Sequence, residues 1–281
     1  MVLVYFFALL LKDVIDMYIK LCSLFSGSSG NATYIGNDKT HILVDSGLSG
    51  IKVKTALKHI GVKPDSIGAI VITHEHTDHI QSAGVLSREF DIPIYANEKT
   101  WEQMEKRLGA LSPKNMRLFY NDMDFYIDNI NVSPFSIPHD AADPVGFCFY
   151  YRSSKISIAT DLGYTNKKII DKMKDSNVVL LEANHDIDML ANGPYPYHLK
   201  RRIRGTRGHL SNEDAGGVAV ELAKGNVTHL LLAHLSEKNN APNLAHETVS
   251  DYLRSNDIAV GEDIVLDMTY RDRAGNVYNI G

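Results

Sequence analysis

The chain is 281 residues long, enough for one or two domains of roughly 100–200 residues each and for a sizeable buried core. Hydrophobic residues make up 44% and charged residues 22%, near the globular average, which excludes a collagen-like, disordered or wholly membrane-embedded protein. A formal net charge of -5, from 34 acidic against 29 basic residues, excludes a generally basic protein that coats nucleic acid and leaves room only for a local basic patch.

Met1 to Leu11 reads MVLVYFFALLL, an apolar run shorter than the ~20 residues that span a bilayer. No Lys or Arg precedes it, and Lys12, Asp13 and Asp16 follow where a secretory signal shows small residues. Residues 1–16 are therefore expected to be an apolar N-terminal extension, with no stable membrane insertion. Only Cys22 and Cys148 occur, so neither a disulfide framework nor a cysteine-built zinc site organises the chain, and a reducing cytoplasm fits best.

Tyr18 to Phe25, Ala32 to Ile35 and His41 to Val44 read as strands of an antiparallel meander, rich in β-branched and aromatic residues between Gly, Ser and Asn. Apolar residues at Val53, Ala56, Leu57 and Ile60 predict a helix over Lys52 to Ile60 that Gly61 stops. A buried strand at Ile67 to Thr73, one helix over Asp78 to Phe90, a strand at Pro93 to Tyr95 and a helix at Lys99 to Leu108 follow. Phe125 to Ala159 reads as two hairpins. Further on come a strand at Asn177 to Glu182, a helix over Ser211 to Ala223 with Ser211 as N-cap and Asp214 in its first turn, a strand at Val227 to Leu232 and a helix at Leu244 to Leu253. Sheets carrying helices on their outer faces predict a layered α/β architecture. No linker, low-complexity tract or short repeat interrupts residues 17–281, which are expected to form a single hydrolase domain.

The strongest chemical signal follows the strand at Ala69 to Thr73, where the chain reads His74-Glu75-His76-Thr77-Asp78-His79, four possible metal ligands within six residues. His74 and His76 project to one side of an extended segment, while Asp78 and His79 stand at the turn into a helix and point to a neighbouring position. This spacing suits two ions side by side. The helical HExxH pattern fails because Asp78 stands where its second His is needed. A His-rich surface loop is the plain alternative, but an apolar strand ending in this cluster argues against it. His139, Asp161 and His234 each end a further apolar run; alone, each would pass for a capping or turn residue, and in series they are candidates to complete the coordination.

Together with Asp45 in Leu43-Val44-Asp45-Ser46-Gly47, these motifs resemble the metallo-β-lactamase superfamily over most of the chain. The resemblance implies a four-layer αββα sandwich with the site at one edge between the sheets. It assigns His74, His76 and His139 to one divalent ion, Asp78, His79 and His234 to a second, and Asp161 to a bridge between them. Asp45 would orient the site from behind. Zinc or manganese suits such His and carboxylate ligands.

Lactam, thioester and phosphodiester hydrolysis all occur on this scaffold. Asp161 stands where the zinc lactamases of this pattern carry Cys, and Leu162 to Ala233 leaves no room for the large inserted domain of RNA-processing members. Leu181-Glu182-Ala183-Asn184-His185-Asp186 and Gly208-His209-Leu210-Ser211-Asn212 resemble the phosphodiesterase branch, which implies that Glu182 orients His209 to protonate the leaving oxygen. Asp78 and His185 are further catalytic candidates. Read without the resemblance, His209 could cap the next helix and His185 could hold a loop. Lys200, Arg201, Arg202, Arg204 and Arg207, just before His209, could hold the phosphates of a polyanion or form a solvated basic helix. The Ser26 to Asn31 turn is a weaker phosphate candidate.

SGSSGNATY, LEANHD, RGHLSN and LAHLSEKNN together look most like the WalJ (YycJ) branch, and that resemblance implies a metal-dependent 5′-to-3′ exonuclease of the cytoplasm, with DNA preferred over RNA. Spacing alone supports a dinuclear phosphodiester hydrolase. A cyclic-nucleotide or other phosphodiesterase, an RNA-processing nuclease, a thioester hydrolase of the glyoxalase II type and a non-catalytic binding module are the other readings.

Overall fold

The computed structural model describes residues 18–281, so the expected extension at residues 1–16 lies outside the described residues. The strands fall into two seven-stranded sheets. In the first, β1 (Ile19–Phe25), β2 (Ala32–Gly36) and β3 (His41–Val44) form the expected antiparallel meander. β4 (Ala69–Val71), β5 (Ile94–Ala96) and β6 (Met116–Leu118) then run parallel beyond β3. In the second, β7 (Phe125–Ile127), β8 (Ile130–Ser136), β9 (Val145–Tyr151) and β10 (Ser154–Ala159) alternate direction as two hairpins. β11 (Val178–Glu182), β12 (His229–Ala233) and β13 (Val265–Met268) continue it in parallel, and β14 (Tyr278–Ile280) returns to pair with β1 of the first sheet.

Side-chain alternation along the strands builds the layers. Ile42 and Val44 of β3 join Phe147, Phe149, Ile158 and Leu180 of the second sheet in a buried layer between the sheets. Leu43, between them in sequence, belongs to an outer layer with Val53 and Leu57 of α1 (Gly50–His59). In the second sheet Val179 and Leu181 pack in the opposite outer layer with α8 (Asn212–Ala223) and α9 (Pro242–Arg254), through Ala219, Leu222, Val249 and Leu253. The result is the expected αββα sandwich. Ser211 caps α8 in a full capping box with Asp214, as its position in the sequence predicts. Among the described residues no helix is long and apolar enough to cross a membrane.

The expected helix over Asp78 to Phe90 is two helices, α2 (Thr77–Ile80) and α3 (Ala83–Phe90). The carbonyls of Asp78 and His79, which a continuous helix would offer to Ser82 and Ala83, instead accept N–H groups from Asn31 at 2.8 Å and Ser46 at 2.7 Å, and Ser82 N–H turns to Ser46 O at 2.9 Å. Two loops of the first sheet thus fix the turn that carries Asp78 and His79. Between α3 and α8 lie α4 (Glu98–Leu108), α5 (Lys167–Met173), α6 (Ile187–Asn192) and α7 (Tyr197–Ile203).

Candidate metal centre

β3, β4, β10, β11 and β12 end where the site begins, and the chain turns sharply as it leaves three of them. Asp45, Asp161 and His234 all adopt left-handed backbone, with φ of 61°, 62° and 57°. Such conformations cost about 1–3 kcal/mol each for a non-glycine residue and persist where the surroundings over-determine them. His74 to His79 fill the turn after β4, and His139 stands in the loop after β8.

Three groups of ligand atoms lie mutually within 4.8 Å: His74, His76 and His139; Asp78, His79 and His234; and His74, His79 and Asp161. A fourth joins Asp161, Glu182, His209 and His234. The two three-residue ligand sets inferred from the sequence are therefore brought together, and Asp161 lies between them. Its Oδ1 is 3.6 Å from both His139 Nε2 and His234 Nε2, and its Oδ2 is 3.3 Å from His79 Nε2. Asp78 Oδ2 is 3.7 Å from His79 Nε2 and 3.9 Å from His234 Nε2.

The four buried histidines of the cluster, His74, His79, His139 and His234, are each oriented through the other ring nitrogen. His79 Nδ1–H donates to Asp45 Oδ2 at 2.8 Å, and His74 Nδ1–H donates to Thr73 Oγ1 at 3.0 Å, whose hydroxyl donates to the same Asp45 oxygen at 2.8 Å. His139 Nδ1–H donates to Gly208 O at 3.1 Å, and His234 Nδ1–H to Glu182 Oε1 at 2.7 Å. These partners assign the tautomers and leave the four Nε2 atoms facing the cluster, the arrangement that metal-binding imidazoles need. His139 Nε2, His234 Nε2 and Asp161 Oδ2 are buried with no hydrogen-bond partner. Buried polar atoms are seldom left so, and unpaired imidazole nitrogens in both ligand sets, with a carboxylate oxygen between them, are the kind of donors that divalent cations take. The residues fit such ions.

The carboxylates make the site attractive to positive charge, protons included. Burial disfavours protonated His79, but the carboxylates of Asp45, Asp161 and Asp78 outweigh it and hold the ring's pKa up to about 9. Burial and the neighbouring histidines push His74 well below the usual range. Burial works against the Asp161 and Asp78 carboxylates as well, yet the surrounding imidazoles, His234 and His79 foremost, keep both below the ordinary range.

His209 Nδ1–H donates to Glu182 Oε1 at 2.8 Å, as the resemblance implies. The same oxygen holds His234, and Oε2 accepts N–H groups from Leu162 at 2.7 Å and Leu210 at 3.1 Å, so this fully buried carboxylate is a junction of four donors. His185 is buried with Nδ1 unpartnered, lies in none of the four groups, and has its pKa pushed down by burial to about 4. Of the five cations, Lys200 donates to Ala191 O at 2.8 Å and Arg202 pairs with Asp140; Lys200 to Arg202 lie in α7, and Arg204 and Arg207 stand exposed beyond it.

Sequence reasoning passed over Thr73, Gly208, Ser26 and Asn31 as supports of the ligands. Ser26 Oγ accepts the N–H of His234 at 2.8 Å, and Asn31 Oδ1 accepts that of Gly27 at 3.0 Å, which places Asn31 Nδ2 3.1 Å from His79 Nε2. The turn over residues 26–31 thus braces the ligand loops. Its small polar residues are the signal that could have shown this, beyond their potential to bind phosphate. Gly47 was passed over too. A Cβ there would stand 1.6 Å from Asp78 O, so Gly47→Ala must displace the Asp78 turn. The expected result is a loss of about 1–3 kcal/mol in denaturant titration, the cost of overpacking, together with reduced metal content. Wild-type values for both would show that the turn yields.

The metallo-beta-lactamase superfamily model matches residues 26–173. The chain is 39% identical to Exodeoxyribonuclease YycJ of Bacillus anthracis over 240 residues, 85% of this chain and 90% of that protein. It is 38% identical to Exodeoxyribonuclease WalJ of Streptococcus pneumoniae over 261 residues, 92% and 97% of the two chains. The metallo-beta-lactamase fold protein YhfI of Bacillus subtilis superposes with a TM-score of 0.72 at 16% identity, over 93% of this chain and 99% of that one, a likeness of fold.

Proposed function

This chain belongs to the metallo-β-lactamase superfamily, in the branch of the WalJ and YycJ proteins, and from that premise we propose that it is a two-metal nuclease, a 5′-to-3′ exonuclease that prefers DNA to RNA. His74, His76 and His139 would hold one ion and Asp78, His79 and His234 the other, with Asp161 shared between them. Zinc or manganese ions bound there would activate water and draw charge from the phosphoryl oxygens. Residues 17–281 act as one hydrolase unit, in a cytoplasm where the two buried, free cysteines need no pairing.

The observation that carries the phosphodiester reading is His209, held by Glu182 beside the cluster with its side chain 19% exposed. Its Nδ1–H is taken by the carboxylate, so a proton on Nε2 can go to a departing oxygen. A sugar alkoxide is a poor leaving group that requires this proton, whereas a thiolate needs it far less, which sets the thioester reading behind. Glu182 keeps the ring oriented, with His209 Nδ1 2.8 Å from its Oε1. Asp45 and Thr73 keep His79 and His74 aimed while substrate exchanges. The relatives named as exodeoxyribonucleases favour a nucleic-acid substrate over a cyclic nucleotide.

Manganese-loaded protein incubated with single- and double-stranded DNA, RNA, a cyclic dinucleotide and a thioester tests the reading. Release of mononucleotides from the 5′ end of DNA, faster than from RNA, is expected. Turnover of the thioester or cyclic dinucleotide alone would overturn it.

The basic segment makes its own prediction. If Arg201 and Arg207 meet phosphates, neutralising both should weaken DNA binding and flatten the plot of log K against log salt by roughly one to two units, at ~0.9 per lost duplex contact or ~0.7 per single-strand contact. An unchanged slope in binding titrations would return the segment to a solvated surface.

A further inference from the structure

We propose that the groove leading away from Asp140 is a seat for an unpaired nucleic-acid strand, in which the ring of Tyr197 stacks on a base and Arg201 and Arg207 hold the adjoining phosphates. This rests on the nuclease reading above and adds to it the form of the substrate and a residue that no motif singled out.

The groove has a volume of about 650 Å³, and Asp140, Tyr197, Arg201, Arg202 and Arg207 line it. Its inner end adjoins the metal cluster through Asp140, whose Oδ1 lies 3.3 Å from His139 Nε2. Asp140 is matched by its ion pair with Arg202. The side chains of Arg201 and Arg207 have no hydrogen bond or ion pair among the described residues. A chain of net charge -5 therefore keeps two uncommitted guanidinium groups in a groove whose Asp140 neighbours the ligand His139. Such forks match phosphate oxygens better than any other side chain does.

Tyr197 supplies what a phosphate clamp alone would lack. It opens α7 and is 77% exposed, so its ring has no packing role to fulfil. Arg201 follows it by four residues, which places ring and guanidinium on the same face of the helix. An aromatic face beside cations is the pairing by which proteins hold single strands, since every base offers a stacking surface once it leaves a duplex. In a paired helix those faces are covered, and the ring would gain nothing. The groove thus selects a strand whose bases are already free, and it leads the strand's phosphates towards the cluster.

The test uses the manganese-loaded protein and a phosphorothioate-linked DNA strand, which resists cleavage, carrying 2-aminopurine near its 5′ end. Stacking on Tyr197 quenches the fluorescent base. Tyr197→Ala should weaken single-strand binding by ~5- to 150-fold, the effect of losing one base–aromatic stack, and should remove the quenching. Tyr197→Phe, which keeps the ring, should restore both. An alanine variant that binds and quenches as the wild type does would overturn the groove assignment and leave the nuclease reading standing. A wild-type protein that neither binds nor degrades any strand would overturn both.

Discussion

Replacing Asp161 with asparagine is expected to lower hydrolysis by more than the ~10²–10⁴-fold that a single positioned acid or base supplies, and to reduce bound metal in the same preparation. The Asp161 carboxylate lies between the ligand sets, Oδ1 near His139 of one set and His234 of the other, and Oδ2 near His79. Asparagine keeps the size of the side chain and tolerates the left-handed backbone at this position, where φ is 62°. The fold should therefore survive, and a denaturation midpoint near that of the wild type would show it. Metal analysis and a DNA degradation assay complete the measurement. Full metal content with full activity would remove Asp161 from the centre.

His209→Ala is expected to lower turnover of an ordinary phosphodiester by ~10²–10⁴ while metal content stays unchanged, because His209 lies outside both three-residue ligand sets. A p-nitrophenyl ester, whose leaving group departs without a proton, should lose much less. Equal losses on the two substrates would assign His209 to binding or structure. Glu182→Gln separates the roles further. From the sequence it looks like a milder form of the His209 change, but the structure shows Glu182 Oε1 also holding His234 Nδ1 at 2.7 Å. The glutamine variant should therefore lose metal as well as proton transfer.

Most of the candidate centre was legible because its chemistry is written in residue types at strand ends. An apolar strand that runs straight into HEHTDH brings four metal-binding side chains to one end of a sheet, and the polar residues after β8, β10 and β12 gain meaning once that cluster is seen. The alternation of Ile42, Leu43 and Val44 likewise foretells a sheet buried on both faces. The break between α2 and α3 was not legible, because it is made by Asn31 and Ser46 taking the carbonyls of Asp78 and His79. Local propensity carries no trace of partners more than 30 residues away. β6, β13 and β14, of three or four residues, are too short to show a period of two. The second partner of Glu182 and the engagement of Lys200 and Arg202 were hidden for the same reason: each depends on how separate loops meet.

The central claim is that hydrolysis of nucleic acid needs both cation positions. Metal-free protein titrated with manganese, with bound metal and release of nucleotides from DNA followed in parallel, tests it most directly. The account predicts negligible release at one bound ion per chain and a rise to full activity as the second is filled. Full activity at one ion per chain, or activity that persists in the metal-free protein, would contradict it.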